Sequence, residues 1–137
     1  MLPAAMRMKT WTGLCIFLLT ATVFAATTLD LSDFDEDAMH AIDDAKQDLE
    51  SDLSGNDAKS AVANAAIVRD GLKWAESYFA KKGSVDDAIQ LAQQGQEFAA
   101  TIIKSAGAKD FAAASDAYDG LVRTCKRCHD AYKPPSL

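Results

Sequence analysis

The chain is poor in soft metal ligands. Its 137 residues include three cysteines, two histidines and four methionines, so a site built from sulfur or imidazole has few positions to draw on. Strand patterning is missing as well: no stretch alternates apolar and polar residues convincingly with period two, which argues against a sheet. There is no basic surplus, since 14 Lys and Arg stand against 20 Asp and Glu for a net charge of −6. A phosphate-binding surface needs a positive patch, so nucleic acid is excluded as an expected partner. No internal repeat is visible, and no apolar run approaches the roughly 20 residues that cross a bilayer.

What is present begins with a leader. Arg7 and Lys9 precede an apolar run of about a dozen residues, Gly13 to Phe24, and the small residues Ala25 and Ala26 follow. A positive start, a short apolar core and a small-residue exit are the parts of a secretory signal peptide, placed here at residues 1–26. A retained membrane anchor is the competing reading, and the run is short for it. Leu14 is too large for the position before a lipid-modified Cys15. Cleavage removes Arg7, Lys9 and Cys15, so 12 basic residues face 20 acidic ones, for a net charge of −8, and two cysteines remain. The expectation is an exported, acidic domain over residues 27–137 with no membrane span after removal of the leader, in an oxidising compartment.

From Leu31 onward the apolar spacing is that of helices. Phe34, Ala38, Ile42, Ala45, Leu49 and Leu53 recur at three and four, with Asp33 and Glu36 as a start signal, until "SGND" at 54–57. A second run carries Ala61, Ala65, Val68, Leu72, Ala75 and Phe79, widened by Ile67, Trp74 and Tyr78, and closes at Gly83. Ser84 with Asp87 opens a third, with Val85, Ala88, Ala92, Ala99, Ile103 and Ala106 on one face. The fourth starts at Asp110, carries Phe111, Ala114, Tyr118, Leu121 and Val122, and stops before Pro134 and Pro135. Four amphipathic segments of roughly 20 residues with short turns predict an all-α, antiparallel four-helix bundle. Its many inner alanines let helices approach in some layers and leave room in another.

The fourth segment holds "TCKRCHDAYK", Thr124 to Lys133. Residues three and four apart share a helix face, so Cys125, Cys128 and His129 point to one side, continuing the stripe of Leu121 and Val122. C-x-x-C-H is the attachment sequence of a c-type haem. Each thiol can form a thioether with the porphyrin edge, and the histidine meets the iron. Two other readings of the same residues exist. A C-x-x-C pair can exchange disulfides, but such pairs open a helix after a strand, where the dipole lowers a thiol pKa. Zinc would need Cys125, Cys128, His129 and the only other histidine, His40, and adjacent Cys128 and His129 make a poor tetrahedral bite.

With these features the chain resembles the class II c-type cytochromes, the cytochrome c-prime family, which are exported four-helix bundles with the haem sequence near the C-terminal end of the last helix. The resemblance covers the mature chain in helix number and order, and "CKRCH" at 125–129 is its one highly specific motif. It implies one covalent haem c, thioethers at Cys125 and Cys128, and His129 as the proximal iron ligand. In such proteins the first helix covers the other side of the iron, either leaving it vacant or supplying a methionine. Met39, at the edge of the first apolar stripe, is the candidate distal ligand; packing over the ring is its alternative role. His40 falls on the opposite side of the wheel, among Glu36, Asp43 and Gln47, and is expected at the surface. Arg123, Lys126, Arg127 and Lys133 are candidates for neutralising the haem carboxylates, although cations also suit a helix C-terminus. The implied activity is periplasmic single-electron carriage between redox partner proteins, basic ones if charge steers the encounter. Low-spin Met/His ligation and a dimer through the first two helices belong to the same expectation. No nucleophile with a base accompanies the motif, so an enzyme is not expected. The alternative function is a gas-binding module for nitric oxide or carbon monoxide with a vacant distal site.

Overall fold

A computed structural model describes residues 29–83 and 85–133. The signal peptide expected at residues 1–26, Ser84 and the Pro134-Pro135 end lie outside them. Among the described residues the secondary structure is four helices: α1 (Glu36–Ser54), α2 (Ala58–Lys82), α3 (Asp86–Gly107) and α4 (Phe111–Tyr132). Each connection between them spans three residues, which forces neighbours in the chain to run antiparallel. The all-α four-helix bundle expected from periodicity is the fold observed.

Helix starts follow local chemistry. The carboxylate of Asp57 accepts from the backbone N–H groups of Lys59 and Ser60, and that of Asp110 from Ala113, satisfying donors that have no partner within the helix. At α1 the cap is Asp35, which accepts from the N–H of Ala38, and not Asp33. Asp33 is engaged elsewhere: it accepts the Tyr78 hydroxyl at 2.7 Å and pairs with Lys82 at 2.6 Å. Residues 29–35 therefore form a strap across the end of α2 instead of a first helical turn. At α3 the cap position is Val85, with no side-chain hydrogen bond. Gly83 closes α2 at φ 71°, a left-handed angle that costs a glycine little. Lys133 ends α4 in an extended conformation, as a residue before proline must.

The core is small-grained. Ala61, Ala65, Ala88, Ala99, Ala106 and Ala114 are fully buried, beside Leu49, Val68, Ile102 and Leu121 as the largest fully buried side chains. Alanines bring α2 onto α3 and α3 onto α4 closely, while α1 and α4 touch least of the adjacent pairs. Two side chains expected inside are outside: Ile67 is 49% exposed and Val122 38%. Ile67 lies about 120° around α2 from the stripe centred on Ala61 and Phe79, in one row with Trp74 and Tyr78. The strap covers that row only at its far end, where Phe34 packs edge-on against Trp74 and Tyr78 with ring centroids 5.1 and 4.8 Å away. Val122 is one step, about 100°, off the buried Leu121.

Candidate functional site

Where α1 and α4 stand apart, a cavity opens at the end of the bundle that holds the start of α1 and the end of α4. Its walls come from the strap and all four helices: Phe34; Met39 and Ile42; Leu72 and Phe79; Leu91 and Gly95; and Cys125, Cys128 and His129. The cavity is open at its mouth, and its surface is mostly apolar. Such a lining suits a mostly apolar ligand better than a polar solute.

Helix α4 presents its three soft ligands to this cavity for simple reasons of pitch. Cys125, Cys128 and His129 span one turn, and all three are partly buried along the cavity side. The turn stays regular to the end, with His129 O accepting from the N–H of Lys133 at 3.1 Å. Behind it, the buried Thr124 hydroxyl donates to Gly120 O at 3.0 Å, so this polar group is satisfied within its own helix. Both cysteines are free of a disulfide.

Burial sets the protonation states. It pushes the Cys125 thiol above its ordinary range, helped by Asp43, and pushes Cys128 up to about 11, helped by Cys125 and Asp87. For His129, burial holds the pKa below the usual imidazole value, and the Lys133 and Lys46 ammonium groups lower it further. The imidazole is therefore neutral at pH 7, the form that offers a nitrogen lone pair to a metal. Thiols raised in this way are the opposite of the low-pKa thiolates that exchange disulfides. Among the described residues, no three His, Cys, Asp or Glu side chains converge to hold a bare metal ion, which leaves the zinc reading without its fourth and even its third partner. The two thiols, the neutral imidazole and the apolar lining are groups that could hold a thioether-linked metalloporphyrin.

The residues singled out from sequence sort cleanly by position. Met39, Cys125, Cys128 and His129 border one cavity, with Met39 on the α1 wall packed against the main core cluster. His40 is exposed and does not border it. Of the four candidate cations, Lys133 borders the cavity, Lys126 pairs with Asp130 at 2.7 Å, Arg127 donates to the Gln94 side-chain oxygen at 3.3 Å, and Arg123 is exposed.

Asp43, Lys46 and Phe34 are among the wall residues that were not expected. Asp43 was placed with the solvent-facing residues, but it borders the cavity together with Lys46, its ion-pair partner. This contact with Lys46 holds the Asp43 carboxyl below its usual range. A signal for Lys46 did exist: it lies four residues after Ile42, at the edge of the apolar stripe, where a lysine runs its stem along apolar surface and keeps its charge at the rim. Phe34 also had one. It precedes the Asp35 cap, and Met39 stands at the fourth helical position, the pair of sites that a hydrophobic staple joins. Compared with protein-family models, with curated proteins and with solved structures, the chain finds no match.

Proposed function

We propose that this chain is an exported c-type haem protein that carries single electrons, with Cys125 and Cys128 holding the ring and His129 the iron. The observation that carries the reading is a C-x-x-C-H turn bordering an apolar cavity that Met39 of α1 also lines. Haem bound there supplies an iron that exchanges one electron reversibly.

The chain's own residues have distinct parts in this reading. The last turns of α4 set the two thiols and the imidazole along one side of the cavity. Burial keeps the His129 imidazole neutral and able to donate its lone pair. Ile42, Leu72, Phe79 and Leu91 exclude water from the ring faces, which raises the cost of a localised charge and so tunes the potential. Met39 would supply a sulfur donor from α1, and ligation by a thioether and an imidazole would favour the ferrous state relative to two nitrogen donors. No group transfer is needed for electron carriage, and the reading assigns no catalytic residue. The leader expected at residues 1–26 places the work in the periplasm, with redox partner proteins as its targets; pairing of two bundles belongs to the same proposal.

A second reading keeps the haem and changes the task. Met39 is only partly buried and packs on the core cluster as a space-filling side chain would, which favours a site left open for nitric oxide or carbon monoxide. One absorption spectrum of the exported protein separates the readings. A low-spin ferric protein that ignores carbon monoxide when reduced supports electron carriage, and a high-spin protein that binds it readily supports gas binding. A colourless protein exported from cells that attach haem c overturns both.

A further inference from the structure

Around the end of α2 the aromatic rings form an unbroken series. Trp74 and Tyr78, half-buried in the row of Ile67, stack with centroids 6.0 Å apart and planes 28° from parallel. Tyr78 meets Phe79 edge-on at 5.4 Å, Phe79 meets Tyr132 at 5.4 Å, and Phe34 touches both Trp74 and Tyr78. Phe34, Phe79 and Tyr132 border the cavity, so the series leads from the surface of α2 to the cavity wall. Burial of apolar area accounts for the two phenylalanines. It does not account for the two phenolic hydroxyls, each of which is aimed at a carboxylate: Tyr78 donates to Asp33 at 2.7 Å, and Tyr132 donates to Asp87. A phenol held in this way can give up an electron while its proton passes along the hydrogen bond, which avoids forming a protonated phenol cation.

We propose that Trp74, Tyr78 and Tyr132 form a relay that takes an oxidising equivalent from a small one-electron oxidant, a radical, at the surface of α2 and delivers it to the cavity wall, with Asp33 and Asp87 receiving the phenolic protons. The radical gains one electron from Trp74, whose indole proton goes to water. Trp74 is restored by an electron from Tyr78 and a proton from water, and the Tyr78 proton moves to Asp33. Tyr78 is restored in turn by an electron from Tyr132 and by its own proton returning from Asp33, while the Tyr132 proton moves to Asp87. The oxidant is then reduced, and Tyr132 stands as a neutral phenoxyl radical beside a protonated Asp87. Phe34 and Phe79 are too hard to oxidise and serve as the packed medium between stations. Electrostatics sets the direction, because oxidation takes each tyrosine-aspartate pair from one negative charge to none. Lys82 stabilises the charged form at Tyr78, lying 2.6 Å from Asp33 with its ammonium 5.4 Å from the ring centroid. Asp87 belongs to none of the ion pairs among the described residues and faces the partial charge, about half of one, at the start of α3. The hole therefore comes to rest at Tyr132. The relay goes beyond the haem reading and stands on these side chains whether or not the cavity is filled.

The test exposes the exported protein to azide radicals made by pulse radiolysis, which oxidise indole in preference to phenol at neutral pH. The protein is first treated with ferricyanide and desalted, so that no reduced centre can refill the hole. Trp74 is the one tryptophan of residues 27–137, which makes it the point of entry. The expected result is decay of the indole radical absorption as the phenoxyl absorption rises, in a first-order phase whose rate does not depend on protein concentration. A nitroso spin trap, located by peptide mass spectrometry, should label Tyr132 and spare Tyr118, whose hydroxyl is turned to Lys46 O, away from the series. Tyr78→Phe keeps the ring and should abolish the first-order phase; Tyr132→Phe or Asp87→Asn should shift the label to Tyr78. A rate that rises with protein concentration, a wild-type label on Tyr118 as strong as on Tyr132, or a Tyr78→Phe variant with wild-type circular dichroism and wild-type conversion overturns the relay. Should Tyr78→Phe not fold, the concentration series and the label map of the wild-type protein decide. The intact mass of the same sample reports covalent haem, so failure of the relay and failure of the haem reading are read separately.

Discussion

Under the proposed haem attachment, raising the pH of the protein with and without haem should separate two stability curves, because free thiols would exist in only one of the two forms. In the haem-free chain the Cys128 thiol is held up to about 11 by burial, against 9.0 for an unperturbed thiol. The folded state therefore keeps a proton that the unfolded state releases. Stability is full below about pH 9 and is lost as the pH rises from 9 towards 11. Two pKa units correspond to about 2.7 kcal/mol, and the partial exposure of this side chain reduces the figure to about 2 kcal/mol. Cys125 shifts in the same direction and adds to the loss. For a domain of this size the expected drop in melting midpoint is roughly 10 °C. With haem attached as proposed, both sulfurs would be thioethers and would not titrate, so the holoprotein's midpoint should hold over the first part of that window. Above it both forms weaken, because Tyr118 and Tyr132 are raised to about 12, the first chiefly by burial and the second by its hydrogen bond to Asp87. Thermal unfolding followed by circular dichroism at pH 8, 9, 10 and 11 gives both curves. Haem-free Cys128→Ser should lose most of the slope. Parallel curves for holoprotein and apoprotein between pH 9 and 10 would refute the thioether assignment.

Met39→Ala should turn a low-spin ferric protein high-spin and let the reduced protein bind carbon monoxide, as read from absorption spectra; a low-spin spectrum that survives the substitution would place the sixth ligand elsewhere. Gly71→Ala tests how tightly α1 seats on α2 beside the cavity: a Cβ there would lie 2.3 Å from Ile42 Cγ1, and Ile42 is a buried, branched side chain with little room to turn. The overpacking cost of about 1–3 kcal/mol should exceed the roughly 1 kcal/mol that alanine gains over glycine in a helix, so urea unfolding should show net destabilisation. Asp110→Ala removes the α4 cap and should cost about 1 kcal/mol in the same assay.

The bundle was legible because period is a global property of each segment: misjudging one residue leaves the stripe in place, and Asp110, Gly83 and the "SGND" break mark three of the helix ends. The α1 start was legible only in part, because Asp33 and Asp35 are both suitable caps and the choice was made by Tyr78 and Lys82, more than 40 residues away. Ile67 illustrates the same limit, since whether its row is covered depends on how far the strap reaches along α2. That Cys125, Cys128 and His129 share one face was readable from spacing alone, because one turn of one helix holds them all. Lys46 and Asp43 were harder: their place at the mouth follows from the gap between α1 and α4, which is set by which layers are filled with alanine, a pairing of distant segments that no single stripe records.

The most direct measurement is acid-acetone extraction of the exported wild-type protein, followed by its intact mass. The account predicts that the colour stays with the polypeptide and that the chain is heavier by one haem, with the added mass lost from the Cys125→Ala/Cys128→Ala variant. Colour passing wholly into the organic phase, or a mature chain with the mass of its amino acids alone, would contradict it.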